Sequence, residues 1–237
     1  MTSAPGPSAA RRATPEQVRH RPPTDGRTRR AVATRARIAA AAGALFVEQG
    51  YATTSIAGVA RAAGVGVQTV YYSYGSKAEI LVGALDHGID GADHPNHPDL
   101  PPDPTDLPWV RIALDEPDPV RRLFLHVRGA ADLMGRTGRL LEVVRGAGAG
   151  EPIVQWAWTW HEERLRAAHR VLVRSYPGDR SARDVERVLD VVALTLGAQV
   201  WDALVVRAGW TALEWARWAH RSLLGELMPD RLDAVDR

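Results

Sequence analysis

The sequence of 237 residues predicts an almost entirely α-helical protein. Across most of the chain, apolar residues recur every three or four positions, which is the period of a helix with one buried face. Runs of β-branched and aromatic residues bounded by hairpin turns, which are typical of strands, are missing. The length is enough for one large domain or two modest ones, with a core that closes without disulfides.

Two proline-rich segments divide the chain into a smaller and a larger helical domain. Residues 1–27 contain prolines among small and charged residues, a composition that predicts a disordered basic tail. In residues 89–108, prolines stand among aspartates and histidines, which predicts a loop because neither a helix nor a central strand tolerates that density of proline. The predicted domains are therefore residues 28–88 and residues 109–237.

Four short helices are predicted in the first domain, over residues 34–50, 54–62, 67–72 and 76–88. Gly50 stands where a left-handed C-terminal cap is expected, and Gly64 supplies a tight turn. Ser76 and Glu79 have the spacing of a capping box, which predicts the start of the fourth helix.

In the second domain, helices are predicted over residues 119–136, 137–146, 152–175, 181–196, 199–207 and 211–228. Ser181 opens the fourth of these helices, and Thr211 with Glu214 predicts a capping box at the start of the last. The glycine-rich residues 146–150 are interpreted as a linker between helices, since no strand precedes them as a phosphate-binding loop would require.

Charge is divided unevenly along the chain. Residues 1–85 hold eleven basic and four acidic side chains, a net charge of +7, whereas residues 86–237 hold nineteen and twenty-four, a net charge of −5. This division predicts that the N-terminal end contacts a polyanion and that the remainder does not.

Several classes of protein are excluded by composition. The chain contains no cysteine, so disulfides, thiolate zinc sites and cysteine nucleophiles are ruled out. No uninterrupted apolar run reaches the roughly 18 residues of a membrane span, and the first 30 residues lack an apolar signal core. We therefore expect a cytoplasmic protein that does not contact membranes and needs neither a cofactor nor a metal.

The second and third predicted helices have the spacing of a helix-turn-helix. Ala60 is small where the two helices would cross, Gly64 lies in the turn, and Val70 points back into the junction. This pattern alone is only moderately specific, because helical hairpins in unrelated folds share it.

Residues 35–85 resemble the N-terminal domain of TetR-family transcriptional regulators. The matching positions are Phe46, Gly50, Tyr51, Thr54, Ser55, Ala60, Ala63, Gly64, Val65, Thr69, Tyr71, Tyr72, Ser76 and Lys77. One departure is Gly66, which stands where the family usually has a serine that caps the third helix.

The resemblance implies that the third helix enters the major groove of DNA, which is about 12 Å wide and admits one helix. Gln68 is the best candidate for pairing with adenine N6 and N7, and Val67 for contacting a thymine methyl group. The resemblance further implies phosphate contacts from Arg35, Thr54, Thr69, Tyr71, Tyr72 and Lys77.

In the family, the C-terminal helices form a ligand pocket and a homodimer interface, so we expect both in residues 109–237. An aromatic effector pocket is predicted from Phe124, His126, Met134, Trp156, Trp160 and His161. Trp156 and Trp160 share a helix face, whereas Trp158 points elsewhere. Packing in the core is the alternative explanation for these residues.

A dimer interface is predicted from two apolar helix faces, which would form a four-helix bundle with the same faces of a second subunit. The predicted interface residues are Val185, Val188, Val192, Leu196, Trp215, Trp218 and Ser222. The alternative is that both faces belong to the core of a single chain.

These patterns together predict a regulator, most simply a repressor, that binds a palindromic operator in double-stranded DNA as a homodimer and is released by a small apolar or aromatic effector. The alternative is a helical enzyme or metal-binding protein with a fortuitous helix-turn-helix-like hairpin. Its candidate ligands are Asp90, Asp93, His94, His97 and Asp99. Neither a GxSxG nucleophile elbow nor an HExxH zinc helix is present, so we expect no enzymatic activity.

Overall fold

The computed structural model describes residues 26–91 and 103–231, in which helices are the regular structure and no strand occurs. The first domain contains α1 (Gly26–Gln49), α2 (Ile56–Ala62), α3 (Val67–Tyr74) and α4 (Lys77–Asp90). The second contains α5 (Pro108–Leu114), α6 (Pro119–Gly148), α7 (Pro152–Ser175), α8 (Ala182–Thr195), α9 (Ala198–Trp201) and α10 (Ala212–Leu227). A 3₁₀ turn, Pro104–Asp106, precedes α5, and a π-helical segment, Asp202–Arg207, follows α9. The predicted all-α fold is confirmed.

Helix α4 joins the two domains. It packs against α1 within the first domain and against α6 and α7 of the second, and its residues from Ala78 to Asp86 are almost all buried. The long helices α6 and α7 pack against each other in the second domain, with α10 on α6 and α8 on α7. A movement of α4 would therefore be felt in both domains.

Helix α1 begins two turns earlier than the sequence predicted. Residues 28–33 are exposed, so this first part of the helix lacks a buried face and shows no apolar period. The prediction of a tail up to residue 27 is therefore wrong for Gly26 and Arg27, and residues 1–25 lie outside the described residues.

The predicted loop over residues 89–108 is only partly a loop. α4 continues to Asp90, and α5 starts at Pro108, a position where proline fits a helix because its missing N–H has no intrahelical partner. The inner face of α5 is formed by Val110 and Ala113, which are both buried. This short helix was not predicted, because Pro108 in a proline-rich segment resembles a helix breaker rather than a first helical residue. Residues 92–102 lie outside the described residues.

Helix α6 is a single helix of 30 residues rather than two. Thr137, predicted to begin a new helix, lies within α6 and donates its hydroxyl hydrogen to the Leu133 carbonyl at 2.8 Å. The helix also continues through Gly146 to Gly148, although each glycine costs about 1 kcal/mol relative to alanine in a helix interior. Packing of α6 against α4, α7 and α10 compensates for that cost.

The predicted capping signals at two helices are confirmed. Ser181 with Asp184 and Thr211 with Glu214 form reciprocal capping boxes at the starts of α8 and α10. Ser76 caps α4 by accepting a hydrogen bond from the Glu79 backbone N–H at 3.1 Å.

One stretch within the described residues, Ala182–Arg207, is long and apolar enough to cross a membrane by length and composition, with a mean hydropathy of 1.6. This stretch was not predicted as a possible span, because Asp190 and Asp202 interrupt its apolar run. Val185, Val188 and Val192 are buried within the chain, where α8 packs on α7. Core helices of globular folds often have this composition, so the stretch is weak grounds for a membrane span.

Candidate nucleic-acid interface

Helices α2 and α3 are joined by a tight turn with specific backbone hydrogen bonds. Ser55 caps α2, its Oγ accepting a hydrogen bond from the Gly58 N–H at 3.1 Å. Gly64 has a φ of +64°, a left-handed conformation that side chains with a Cβ adopt at a cost. The Val65 N–H then donates to the Ala60 carbonyl at 3.0 Å and closes the turn.

The junction between α2 and α3 is packed as the sequence predicted. Ala60 and Val70 are both buried, so the small residue lies at the crossing and the valine closes it. Tyr74 anchors the other end of α3, because its ring is buried and its hydroxyl donates to the Arg35 carbonyl of α1 at 3.1 Å. At the start of α3, Gly66 makes no side-chain cap.

The outer face of α3 is exposed and carries hydrogen-bonding and aromatic groups. The exposed residues are Val67, Gln68, Thr69, Tyr71 and Tyr72. Tyr72 is 90% exposed, which is unusual for an aromatic side chain in a helix that is otherwise packed. The structure thus brings five of the predicted DNA contacts together on one short helix.

Lys77 has a different place from the one predicted. Its ammonium group donates to the carbonyls of Tyr51, Ala52 and Thr54 at 2.9, 3.2 and 3.3 Å, and it lies 4.5 Å from the centre of the Tyr51 ring. All three N–H donors are therefore used within the protein, in closing the turn between α1 and α2. Lys77 therefore has a structural role in the free protein, and its phosphate contact stays a prediction.

Thr54 and Arg35 also make contacts within the domain. The Thr54 side chain is buried, and its hydroxyl lies 2.8 Å from the Gly50 carbonyl and donates to it. Arg35 donates to the Ser73 carbonyl at the end of α3 and stacks 4.1 Å from the centre of the Tyr74 ring. Thr54 thus stabilises the turn after α1, and Arg35 supports α3, while their phosphate contacts stay predictions.

Two side-chain contacts, one between a histidine and a carboxylate and one between an arginine and a carboxylate, fasten α4 to α7. The His161 Nε2 lies 2.8 Å from Asp86 Oδ1, with both side chains almost completely buried. One turn further along, Arg164 donates to both carboxylate oxygens of Asp90 at 2.7 Å. Because buried charges are costly unless they are paired, these contacts fix the distance between the two helices.

A second link between the domains runs through Tyr51. Its hydroxyl donates to a carboxylate oxygen of Glu151, in the turn between α6 and α7, at 2.8 Å. Burial and this hydrogen bond raise the pKa of the Tyr51 phenol, so the group stays protonated and keeps its donor. Neither of these links was foreseen from the sequence, since the partners are 75 and 100 residues apart.

A cavity of about 360 Å³ lies between α5, α6, α7, α8 and α9. Of the predicted effector-binding residues, only Met134 and His161 line it. Trp158 lines the cavity together with Trp109, although it was predicted to point away from the pocket. Trp156 and Trp160 share one face of α7, whereas the cavity lies beside the neighbouring face, which carries Trp158.

The other predicted effector-binding residues lie elsewhere. Trp160 is buried in the core and Trp156 is exposed. Phe124 belongs to a separate groove of about 430 Å³ between α6 and α10. His126 is buried, with its two ring nitrogens 3.1 Å from the Tyr176 hydroxyl and 2.8 Å from His169 Nδ1.

The buried histidine pair is held in the neutral form. Burial lowers the pKa of His126 well below its usual range, and the neighbouring His169 lowers it further. Burial likewise lowers the pKa of His169 to about 4, with a smaller contribution from the charge of Arg166. Two adjacent imidazoles can share a hydrogen bond only if they are not both charged, so the pair is stable as neutral rings.

The predicted dimer interface is mostly core of the single chain, so the alternative interpretation is correct for five residues. Val185, Val188, Val192, Leu196 and Trp215 are buried without any second subunit. Trp218 and Ser222 are exposed, as an interface would require. On α8 the exposed apolar residues are instead Val191 and Leu194.

Among residues 26–91 and 103–231, no group of three or more acidic or histidine side chains is placed to hold a metal ion. Asp90, one of the candidate ligands, pairs with Arg164. The other candidates, at positions 93–99, lie outside the described residues.

A helix-turn-helix at the basic end of an all-α chain, with the second helix exposed, defines the class of helix-turn-helix proteins. A sequence profile of the bacterial regulatory proteins of the tetR family matches residues 28–84. The helix-turn-helix domain of the chain is therefore similar to that of this family.

Two curated relatives from Pseudomonas putida match the sequence. The HTH-type transcriptional regulator TtgR is 32% identical over 114 residues, which are 47% of this chain and 49% of the relative. The probable HTH-type transcriptional regulator ArpR matches with the same identity and coverage. The chain therefore spans about half the length of the curated relatives it matches.

Solved structures are similar over both domains. A TetR-family transcriptional regulator from Mesorhizobium loti is 18% identical, with a TM-score of 0.61 over 84% of this chain and 96% of that one. NalD from Pseudomonas aeruginosa, described as the secondary repressor of the MexAB-OprM multidrug efflux pump, is 22% identical, with a TM-score of 0.57 over 84% of this chain and 99% of NalD. At these identities the likeness shows the fold, an N-terminal helix-turn-helix domain followed by a helical C-terminal domain.

Proposed function

We propose that the protein is a DNA-binding transcriptional regulator without enzymatic activity, which acts in the cytoplasm as a homodimer on a palindromic operator. The observation that carries this proposal is α3 itself: its inner face is packed by Val70 and Tyr74, while Gln68, Thr69 and Tyr72 are exposed. Both curated relatives are named as transcriptional regulators, which supports the same function.

The residues of α3 divide between base and backbone contacts. Gln68 and Val67, in the first turn, face the base edges, the glutamine amide pairing with adenine and the valine meeting a thymine methyl group. Thr69, Tyr71 and Tyr72 donate to phosphates on either side of the groove. Arg29, Arg30 and Arg37, all exposed on α1, add attraction to the DNA backbone that weakens with salt.

The homodimer uses the exposed sides of α8 and α10. These helices contact each other, and each leaves apolar side chains exposed, Val191 and Leu194 on α8 and Trp218 on α10. A two-fold axis through this surface would pair it with its own copy. Two α3 helices about 34 Å apart would then occupy successive major grooves on one side of a palindrome.

Release from DNA begins at the cavity in the second domain. His161 both lines this cavity and pairs with Asp86 of α4, the helix that follows α3. A ligand that contacts His161 would favour a different position of α4 and hence a spacing of the two α3 helices that does not fit the operator. The shift is limited to the ligand's difference in affinity for the two arrangements. The description of NalD as a repressor supports repression as the outcome.

The test is selection of duplexes from a random pool, followed by titration with the wild type and with Gln68→Ala. The wild type should select a palindrome, and Gln68→Ala should lose roughly 1 to 3 kcal/mol of preference at one position in each half-site. Gln199→Ala, an exposed glutamine in the second domain, is the matched control and should leave the selected sequence unchanged.

Failure to enrich any sequence at low salt would contradict the proposed function. Enrichment of the same consensus by the wild type and by Gln68→Ala would contradict only the role of Gln68.

A further inference from the structure

The charged groups around the cavity all come from one helix. The titratable residues of its lining are His161, Glu162, Glu163, Arg166 and His169, all on α7. The residues contributed by α6, α8 and α9 are apolar or glycine. The charge inside the cavity is therefore decided by the state of these five α7 side chains.

The positive charges among them are already compensated or absent. Arg166 pairs with Glu186 at 3.2 Å and with Asp190 at 2.7 Å, both on α8. His169 is neutral at pH 7, because burial lowers its pKa to about 4. His161 faces the carboxylate of Asp86 at 2.8 Å, so any charge on its ring is balanced.

Glu162 and Glu163 are exposed carboxylates at the rim of the cavity. None of the ion pairs in the described part of the chain involves either residue. Burial raises the pKa of Glu162, while a hydrogen bond with Trp158 opposes this effect. The apolar cavity thus has two solvated carboxylates at its rim, and their negative charge favours a bound cation over an anion.

The aromatic walls suit the same kind of ligand. Trp109 and Trp158 both line the cavity, and the face of an indole ring attracts a cation within about 6 Å. Leu133, Met134 and Leu196 complete an apolar surface. The indole N–H of Trp109 is buried and finds no acceptor among the described residues, which favours a ligand that also carries an oxygen or nitrogen acceptor.

We infer that this cavity binds an organic cation with an apolar or aromatic body, recognised by the carboxylates of Glu162 and Glu163 and the rings of Trp109 and Trp158. The inference rests on the proposed role of the cavity as the effector site and adds the charge of the effector to it. An anion of the same shape would be repelled by the two carboxylates, and a neutral one would gain no attraction from them.

The experiment compares three probes of similar shape and different charge, using the full-length protein and isothermal calorimetry or equilibrium dialysis. The probes are benzyltrimethylammonium, its neutral isostere neopentylbenzene, and benzenesulfonate. The permanent charge of the quaternary ammonium keeps the titration of the probe out of the result. We expect the cation to bind about tenfold or more tightly than the neutral isostere, and the anion to bind least.

Variants locate the site and separate charge from volume. Glu162→Gln combined with Glu163→Gln should reduce the affinity for the cation about tenfold and hardly change that for neopentylbenzene. Glu48→Gln, an exposed carboxylate on α1 outside the cavity, is the matched control and should change neither. Ala193→Leu, which places extra volume in the cavity wall, should weaken the cation and the neutral probe alike.

Equal affinity for cation and neutral isostere, or cation binding that survives the double glutamine variant, would overturn the inference. Far-ultraviolet circular dichroism of each variant excludes loss of folding as the cause. The duplex selection described above is done separately on the wild type. A protein that selects a palindrome but shows no preference for the cation therefore refutes the ligand class and leaves the regulator intact.

Discussion

The ammonium group of Lys77 closes the turn that leads from α1 into α2. It donates to three carbonyls in that turn and lies over the ring of Tyr51, whose hydroxyl in turn binds Glu151 of the second domain. One lysine thus connects the start of α4 to the segment that carries α2 and α3. Its main contribution is to hold the DNA-binding domain in shape.

Replacing Lys77 by methionine should therefore lower stability. The three carbonyls lose their donor, so we expect the free energy of unfolding to fall by about 1 to 3 kcal/mol in a urea titration. Arg61→Met, an exposed cation on α2, serves as the control and should stay within about 0.5 kcal/mol of the wild type. An unchanged stability combined with weaker DNA binding would restore the phosphate contact that the sequence suggested.

The buried His126–His169 pair makes stability depend on pH. The pKa of His169 is about 4 in the folded protein and 6.5 in the unfolded reference, so unfolding takes up a proton between these values. Stability is complete above pH 6.5 and is lost as the pH falls towards 4. We expect a loss of roughly 2 kcal/mol between pH 7 and pH 5 from this residue.

The measurement is urea unfolding at both pH values for the wild type and for His169→Gln. The variant should show a smaller difference between the two pH values, even if it is less stable overall. The same difference in both proteins would mean that His169 is not the source of the pH dependence.

At the scale of helices, α3 is positioned by a close contact with α4. The ring of Tyr74 lies against Gly83, where a Cβ atom would come within 2.3 Å of the tyrosine Cε1. Because Tyr74 also bonds to α1, this contact sets the orientation of α3 relative to the rest of the domain.

Gly83→Ala should disturb this contact. We expect a loss of about 1 to 3 kcal/mol in the free energy of unfolding from overpacking, together with weaker binding to the selected duplex. Gly135→Ala is the matched control, since Gly135 is exposed on α6 with no atom within 4 Å of the added methyl group. The control should gain roughly 0.5 to 1 kcal/mol from helix propensity alone. A gain in both variants would show that Tyr74 moves aside freely.

The helices that the sequence predicted well are those with a local signal. Ser181 and Thr211 mark the starts of α8 and α10 through capping boxes, and the turn at Gly64 separates α2 from α3. The start of α1 was missed because its first turns bury nothing. The continuity of α6 was missed because Thr137 looks like a cap in sequence and becomes an interior residue only when α6 packs against its neighbours.

The candidate site likewise has parts that a local sequence signal predicts and parts that depend on how the helices pack. The exposed face of α3 follows from residues adjacent in the chain, so the sequence placed Gln68 and Tyr72 on one helix, and both are exposed. The cavity is formed by five helices, and its lining depends on how α5 to α9 pack, which no local period reports. The buried face of α8 was taken for an interface because a helix period identifies an apolar side without saying what covers it.

At the scale of the whole molecule, exposed apolar residues on α8 and α10 form the interface of the proposed homodimer. Leu194 on α8 is 59% exposed, and Val191 and Trp218 on α8 and α10 are also open to solvent. A charged residue at Leu194 would be buried against its own copy in the proposed dimer, at a cost that opposes association.

Leu194→Arg should therefore convert the protein from dimer to monomer in sedimentation velocity. Ile112→Arg provides a comparison at similar exposure, 57%, on α5, and should remain dimeric. The Leu194 variant should also bind the selected palindrome much more weakly, since each half-site would then be occupied independently. A dimeric Leu194→Arg would place the two-fold axis elsewhere on the surface.

The uninterrupted course of α7 has a mechanical consequence. Its 24 residues span about 36 Å, and the same helix carries the carboxylates of the cavity and, through His161 and Arg164, both side-chain contacts with α4. Because α7 is one continuous helix, a displacement at one turn also moves the neighbouring turns. In the proposed mechanism, a ligand that displaces α7 beside Glu162 would therefore also displace α4, because no break in α7 separates the cavity from the contacts with α4.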